Sequence, residues 1–276
     1  MKIRIVADSS ADLYTTEDRS IVSVPLKIVT DEKEYIDDEN LDIALMTEEI
    51  AAYNGRSGSS CPGVGDWIEA FGDAEWVFGI TITSNLSGSY NSARIAKETY
   101  EAEHPERKVF IIDSLSTGPE MKVIVEKLQE YIASRMDFEE ICKKISKYQK
   151  TTFLVFCLKS LRNLANNGRV SPAVAKIAGI LGIHVVGVAS QEGTLEQKDK
   201  CRGEKKAIFA ILKNMKELGY KGGKVRIDHC FNEEAATQLK ALIKKDFANA
   251  DIRISTVRGL CSFYAERGGL LVGFES

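Results

Sequence analysis

The chain has 276 residues, a formal net charge of -3 and 28% charged residues, with mean hydropathy -0.16 and an isoelectric point near 5.8. That length suffices for two domains. The charge balance lacks the basic excess on which nucleic-acid binding draws, and no apolar run approaches the ~20 residues that span a bilayer, so neither nucleic-acid binding nor membrane insertion is expected. Met1 leads straight into a strand-like run without a signal-peptide pattern, which predicts a cytoplasmic protein. Six cysteines without a C-x-x-C pair and three dispersed histidines predict free thiols, no metal site and no cofactor.

Ile3 to Ala7 reads as a first buried strand, and it ends in Asp8-Ser9-Ser10-Ala11-Asp12-Leu13. Ile21 to Val29 reads as another, with Pro25 favouring an edge or a bulge. Acidic residues 31–40 suggest a solvated hairpin or loop, and Ile43, Met46, Ile50 and Tyr53 recur at helical spacing. A polar loop holding Ser59, Ser60, Cys61 and Pro62 then leads into a helix with Trp67, Ile68 and Phe71. Hydroxyls before a proline near a helix start suit an anion, or equally a simple capping serine.

The stretch with the most chemical content follows. Val77, Phe78, Ile80 and Ile82 make an apolar strand that ends in Ser84-Asn85-Leu86-Ser87-Gly88-Ser89, after which a helix begins. Free backbone N–H groups, a favourable dipole and several hydroxyls in one turn fit an anionic group; the alternative is a serine cap alone. Lys108 to Ile112 is a further strand ending at Asp113, and residues 117–135 and 137–150 are predicted helices. Asp8 and Asp113, at strand ends, fit a role as acceptors for loop N–H groups, with catalysis or metal ligation as the alternative.

Near Thr151 the pattern restarts. Phe153 to Leu158 is a strand, Leu161 to Leu164 a short helix, and Asn166-Asn167-Gly168-Arg169 a turn before a helix starting at Ser171-Pro172. Two strands, 183–189 and 194–198, form a hairpin; helices at 205–218 and 233–247 alternate with strands at 225–229 and 252–257, and residues 268–274 close the sheet. The prediction is a two-domain α/β protein: residues 1–155 with a mainly parallel sheet flanked by helices, and residues 156–276 with a mixed sheet.

Taken together and in order, Asp8 to Leu13, Ser59-Ser60-Cys61-Pro62, Leu86 to Ala93, Ile112-Asp113-Ser114, Leu161 to Leu164, Gly168-Arg169-Val170-Ser171 and Arg202 to Ala207 resemble the DegV family. That family includes the fatty-acid-binding subunits of bacterial fatty acid kinase. The resemblance implies a lipid tunnel between two α/β domains holding a long-chain fatty acid, with the carboxylate gripped by Ser59, Ser60 and the Ser87-Gly88 turn; Asp8, Ser9 and Asp113, from their places at strand ends, are expected to hold these loops in position. It further implies a partner kinase that phosphorylates the bound carboxylate to an acyl phosphate, with Arg169 near partner and phosphate. The family's histidine and Gly-Pro-Gly near the C-terminus are replaced here: Tyr264 stands at the histidine and Glu266-Arg267 at the Gly-Pro. The expectation is that Tyr264 supplies the lost donor and Arg267 a charge; the alternative is that Arg267 is a surface residue paired with Glu266 or solvent. No phosphate-binding Gly-rich loop with lysine is present, so ATP binding is not expected. The alternative functions are a serine-dependent acyl hydrolase using Ser87 or Ser60, without a G-x-S-x-G elbow, and a carrier of another lipid-like carboxylate that has no kinase partner.

Overall fold

The structure, a computed structural model, describes residues 1–171, 174 and 182–276. In the N-terminal half, β1 (Ile3–Asp8), β2 (Ile21–Val24), β6 (Trp76–Thr81) and β7 (Lys108–Asp113) form a wholly parallel sheet in the order β2-β1-β6-β7. Strands without polar alternation need cover on both faces. Ile5, Phe78, Ile80 and Ile112 pack on α4 (Pro119–Ala133) and α5 (Phe138–Tyr148), while Val6, Val22, Val77 and Val109 pack on α2 (Val64–Phe71) and α3 (Ser89–Glu103).

Proline redirects the chain between these layers. The single strand predicted over Ile21 to Val29 breaks at Pro25, which has no N–H for a ladder. Its second half, β3 (Lys27–Thr30), joins β4 (Glu34–Ile36) and β5 (Ser57–Ser60) in a separate antiparallel sheet of order β4-β3-β5. The expected polar loop at Ser59 and Ser60 is therefore strand, with Ser59 opposite Ile28 and Ser60 opposite Lys27. The acidic stretch does form the β3–β4 hairpin, but Asp37 within it is buried, at 1% exposure. Helix α1 (Ile43–Ala52), capped by Asp42 through the Leu45 N–H, packs beside it.

The C-terminal sheet is mixed, with six strands in the order β10-β9-β8-β13-β11-β12. They are β8 (Thr152–Leu158), β9 (Ile183–Ala189), β10 (Leu195–Arg202), β11 (Lys224–His229), β12 (Asp251–Thr256) and β13 (Leu270–Glu275). The final strand enters the middle of the sheet, antiparallel to β8 and β11. The division expected between residues 155 and 156 falls inside β8, which pairs with β13 from Thr152 to Cys157. One face is covered by α7 (Glu204–Glu217) and α8 (Glu233–Asp246). The short helices α6 (Arg162–Asn166) and α9 (Gly259–Ala265) lie on the other. No periodic pattern in the sequence marks α9. The helix predicted from Ser171-Pro172 lies outside the described residues.

The domains meet through α4. Its Lys122 ammonium lies 2.8 Å from Asp228 of β11, and its Glu126 holds Arg226 of the same strand at 2.6 Å. All six cysteines are free, and no helix among the described residues is long and apolar enough to cross a membrane.

Candidate functional site

Between the domains, the face of the C-terminal sheet that carries α6 and α9 lines a cavity whose space, open mouth included, is about 650 Å³. Alternate residues of β8, Leu154, Phe156 and Leu158, point into it together with Leu271 of β13 and Leu195 of β10. Helix α9 adds Leu260, Cys261, Tyr264 and Ala265, and the N-terminal domain adds Leu26, Ile82 and Leu86. The wall is overwhelmingly aliphatic. Its polar groups are Ser59, Ser87, Thr117, Tyr264, Cys261 and Arg169.

Two of these hydroxyls meet across the domain junction: Ser59 Oγ and Tyr264 OH are 2.8 Å apart. Ser87 Oγ accepts the Ser89 N–H at 3.3 Å, which leaves its own hydrogen to donate. The turn that carries it is braced from below. Asp8, wholly buried, accepts hydrogen bonds from the Ile82 N–H (2.9 Å), the Ser89 hydroxyl (2.6 Å) and the Ser10 hydroxyl. Burial raises Asp8 to about 6, and these bonds work against that rise. Asp113 accepts the Ser84 and Leu115 N–H groups, both at 3.1 Å, and the Ser9 hydroxyl accepts the Leu26 N–H at 3.0 Å. Of the hydroxyls in the Ser84–Ser89 turn, Ser87 alone lines the cavity.

Arg169 is placed by the end of α6. Gly168 takes φ 71°, its N–H bonds Ala165 O at 3.0 Å, and the Arg169 N–H bonds Leu164 O at 2.8 Å. This paired termination needs a left-handed residue, which glycine adopts without strain. The Arg169 backbone thus caps the helix while its side chain reaches the cavity wall, donating also to Asn167 O.

Three predicted positions are not brought to the cavity. Ser60 is exposed, because neighbours on a strand face opposite ways and Ser59 takes the inward position. Gly88 caps α3 and packs against Cys61, whose Sγ would lie 3.1 Å from a side chain there. Arg267 is 55% exposed, with its guanidinium over the Phe231 ring at 4.4 Å and 3.8 Å from Glu48, not Glu266. Glu266 instead turns inward at φ 52°, a backbone region that favours glycine. Its carboxylate accepts the Ser160 hydroxyl at 2.8 Å and the Asn163 N–H at 3.2 Å, which hold it there.

The family model described as uncharacterised proteins of the DegV family matches residues 2–275. The chain belongs to the DegV family. A DegV domain-containing protein of Streptococcus pneumoniae is 43% identical over 279 residues, covering 100% of this chain and 99% of the relative. A DegV family protein from Eubacterium eligens, solved loaded with heptadecanoic acid, superposes with TM-score 0.97 at 46% identity over 99% of both chains. The Fatty Acid Kinase (Fak) B3 protein of Streptococcus pneumoniae, loaded with linoleic acid, gives TM-score 0.96 at 42% identity over 100% of this chain and 99% of that one.

Two polar lining residues of this DegV protein, Thr117 and Cys261, lie outside the site expected from sequence. Thr117 stands just past the Asp113-Ser114 strand end and was open to the same reasoning as Ser87. Cys261 had no signal, since α9 itself was not predicted. Among the described lining residues the titratable groups are Arg169, Cys261 and Tyr264. Burial pushes the Cys261 thiol well above its usual range, so it is a neutral wall group. No group in that set is suited to act as general base for Ser87, and Ser60 is outside the cavity, which argues against the hydrolase alternative. No cluster of three or more His, Cys, Asp or Glu side chains is placed to hold a metal among the described residues.

Proposed function

We propose that this protein binds one long-chain fatty acid, with the tail along the aliphatic floor of the interdomain cavity and the carboxylate at Ser59, Ser87 and Tyr264. The observation that carries this reading is the Ser59–Tyr264 hydroxyl pair at 2.8 Å opening on a wall of leucines and Phe156. A buried carboxylate needs hydrogen bonds or a counter-charge, or it costs several kcal/mol. Hydroxyls of Ser59, Ser87 and Tyr264 supply donors, and Arg169 supplies the cation. Each methylene of the tail adds ~0.8 kcal/mol of burial. The neighbours loaded with heptadecanoic and linoleic acids support the same ligand class.

The second part of the proposal is that the bound carboxylate is presented to a separate kinase subunit in the cytoplasm and leaves as an acyl phosphate. The likeness to a protein named for fatty acid kinase supports it. Arg169, at the wall and next to the exposed α6 turn, is the residue proposed to face that partner.

Native mass spectrometry of the protein purified from bacteria tests the ligand. One fatty acid per chain is expected, exchangeable after delipidation for heptadecanoic acid. An empty protein that takes up no acid would sink the reading. Incubating the loaded protein with a fatty acid kinase catalytic subunit and ATP tests the second part, with acyl phosphate as the expected product and its absence as the overturning result.

A further inference from the structure

Helix α9 presents Leu260, Cys261 and Tyr264 to the cavity, yet its first turn is held by the other domain. Asp12 accepts the Arg258 N–H at 2.6 Å, and Asp37 accepts the N–H groups of Gly259 at 2.9 Å and Leu260 at 3.0 Å. These are the backbone donors that a helix leaves unpaired at its start. Asp12 is 6% and Asp37 1% exposed, so water does not compete for the bonds. The Arg258 side chain, itself 2% exposed, runs back into the N-terminal domain and donates to Leu13 O, Asp37 O and, at 2.9 Å, the Ser23 hydroxyl. Gly259 permits the approach, since a Cβ there would stand 2.8 Å from Asp37 Oδ1 and 2.6 Å from Leu41.

Tyr264 lies one turn beyond this anchor, and its hydroxyl meets Ser59, which is also on the N-terminal domain. The helix is thus registered at two points against the domain to which it does not belong: by carboxylates at its start and by a hydroxyl pair near its end. A rotation or slide at the first turn displaces the second contact, because a helix of this length moves as one body.

We infer that Asp12 and Asp37 are positioning residues for the head-group site: they fix α9 so that Tyr264 OH is held against Ser59, and so set the affinity for the carboxylate without touching it. The inference rests on the fatty-acid reading above.

A double-mutant cycle tests it. Delipidated wild-type protein, Asp37→Asn, Tyr264→Phe and the double variant are titrated with heptadecanoic acid. Asp37→Asn is expected to weaken binding about tenfold alone, and by less than about twofold when Tyr264 is already Phe, as coupled residues do. An equal loss in both backgrounds overturns the inference, because Asp37 would then act on the fold and not through Tyr264. Gly259→Ala, which wedges the helix away from Asp37 with the charge left in place, guards against an Asp37→Asn chain that does not fold. It is expected to give the same Tyr264-dependent loss, and unchanged affinity in it overturns the inference. Ser87→Ala separates the two readings. Should Ser87→Ala weaken binding while Tyr264→Phe and Gly259→Ala do not, the carboxylate site stands and the positioning inference falls; should none of them alter binding, both fall.

Discussion

Ser59 Oγ and Tyr264 OH lie 2.8 Å apart although 205 positions separate them in the chain. One belongs to a small antiparallel sheet of the N-terminal domain and the other to a helix of the C-terminal domain. At that distance one hydroxyl donates to the other. A carboxylate bound as proposed would accept from both, exchanging one neutral bond for two to an anion, and bonds to charged groups are the stronger kind.

Tyr264→Phe removes one of those donors and leaves its ring packing against Phe263, at 4.8 Å between centroids, in place. A hydrogen bond to a charged group contributes about 1.5–3 kcal/mol, so fatty-acid affinity is expected to fall by about 10- to 100-fold. Titration calorimetry on delipidated protein measures this, and an affinity equal to wild type would remove Tyr264 from the site.

The serine and arginine positions separate by location. Ser87→Ala, at the cavity wall, is expected to weaken binding by about tenfold, the effect of a lost bond near 1.4 kcal/mol. Ser60→Ala and Arg267→Ala, both at exposed side chains, are expected to stay within about twofold of wild type, the range of surface substitutions. A strong loss in Arg267→Ala would restore the charge role expected from sequence.

Burial raises Glu120 from 4.5 to about 7, with the Thr152 hydroxyl donating to it at 2.8 Å. A carboxyl that stays protonated in the fold and ionises in the unfolded chain favours folding fully below its unfolded value. That contribution is lost as pH rises toward about 7, and it amounts to about 3 kcal/mol. Glu120→Gln is neutral throughout and keeps the acceptor for Thr152. Urea unfolding is expected to show it close to wild type near about pH 4 and more stable at about pH 8. Parallel curves across that range would mean that Glu120 does not carry the effect.

Lys122 and Asp228 form a buried interdomain pair at 2.8 Å, with Lys122 also bonded to the Ser255 hydroxyl at 3.1 Å. Lys122→Met leaves Asp228 uncompensated and is expected to destabilise the fold by about 3–5 kcal/mol. Adding Asp228→Asn removes the stranded charge and is expected to recover part of that loss. Denaturant midpoints decide, and a double variant no more stable than Lys122→Met would contradict the charge argument.

Much of this molecule is written in short-range pattern. The apolar runs at Ile3, Val77 and Lys108, the caps at Asp42 and Asp137 and the glycine turn at Gly168 are local, so strands, helix starts and the Arg169 turn follow from neighbours in sequence. The hydroxyl-rich turn at Ser87, braced by Asp8 and Asp113, was legible for the same reason. Which hydroxyl faces the cavity was not. Pro25 splits one apolar run between two sheets, and the pairing of β5 with β3 then turns Ser59 inward and Ser60 outward, a choice made by a partner strand far along the chain. Arg267 and Tyr264 are near neighbours in sequence, yet Tyr264 on α9 meets Ser59 while Arg267, past the turn at Glu266, meets Phe231 and Glu48. Local propensity is fixed by adjacent side chains, whereas facing and proximity across domains depend on how whole sheets and helices dock, and so only the tertiary structure settled them.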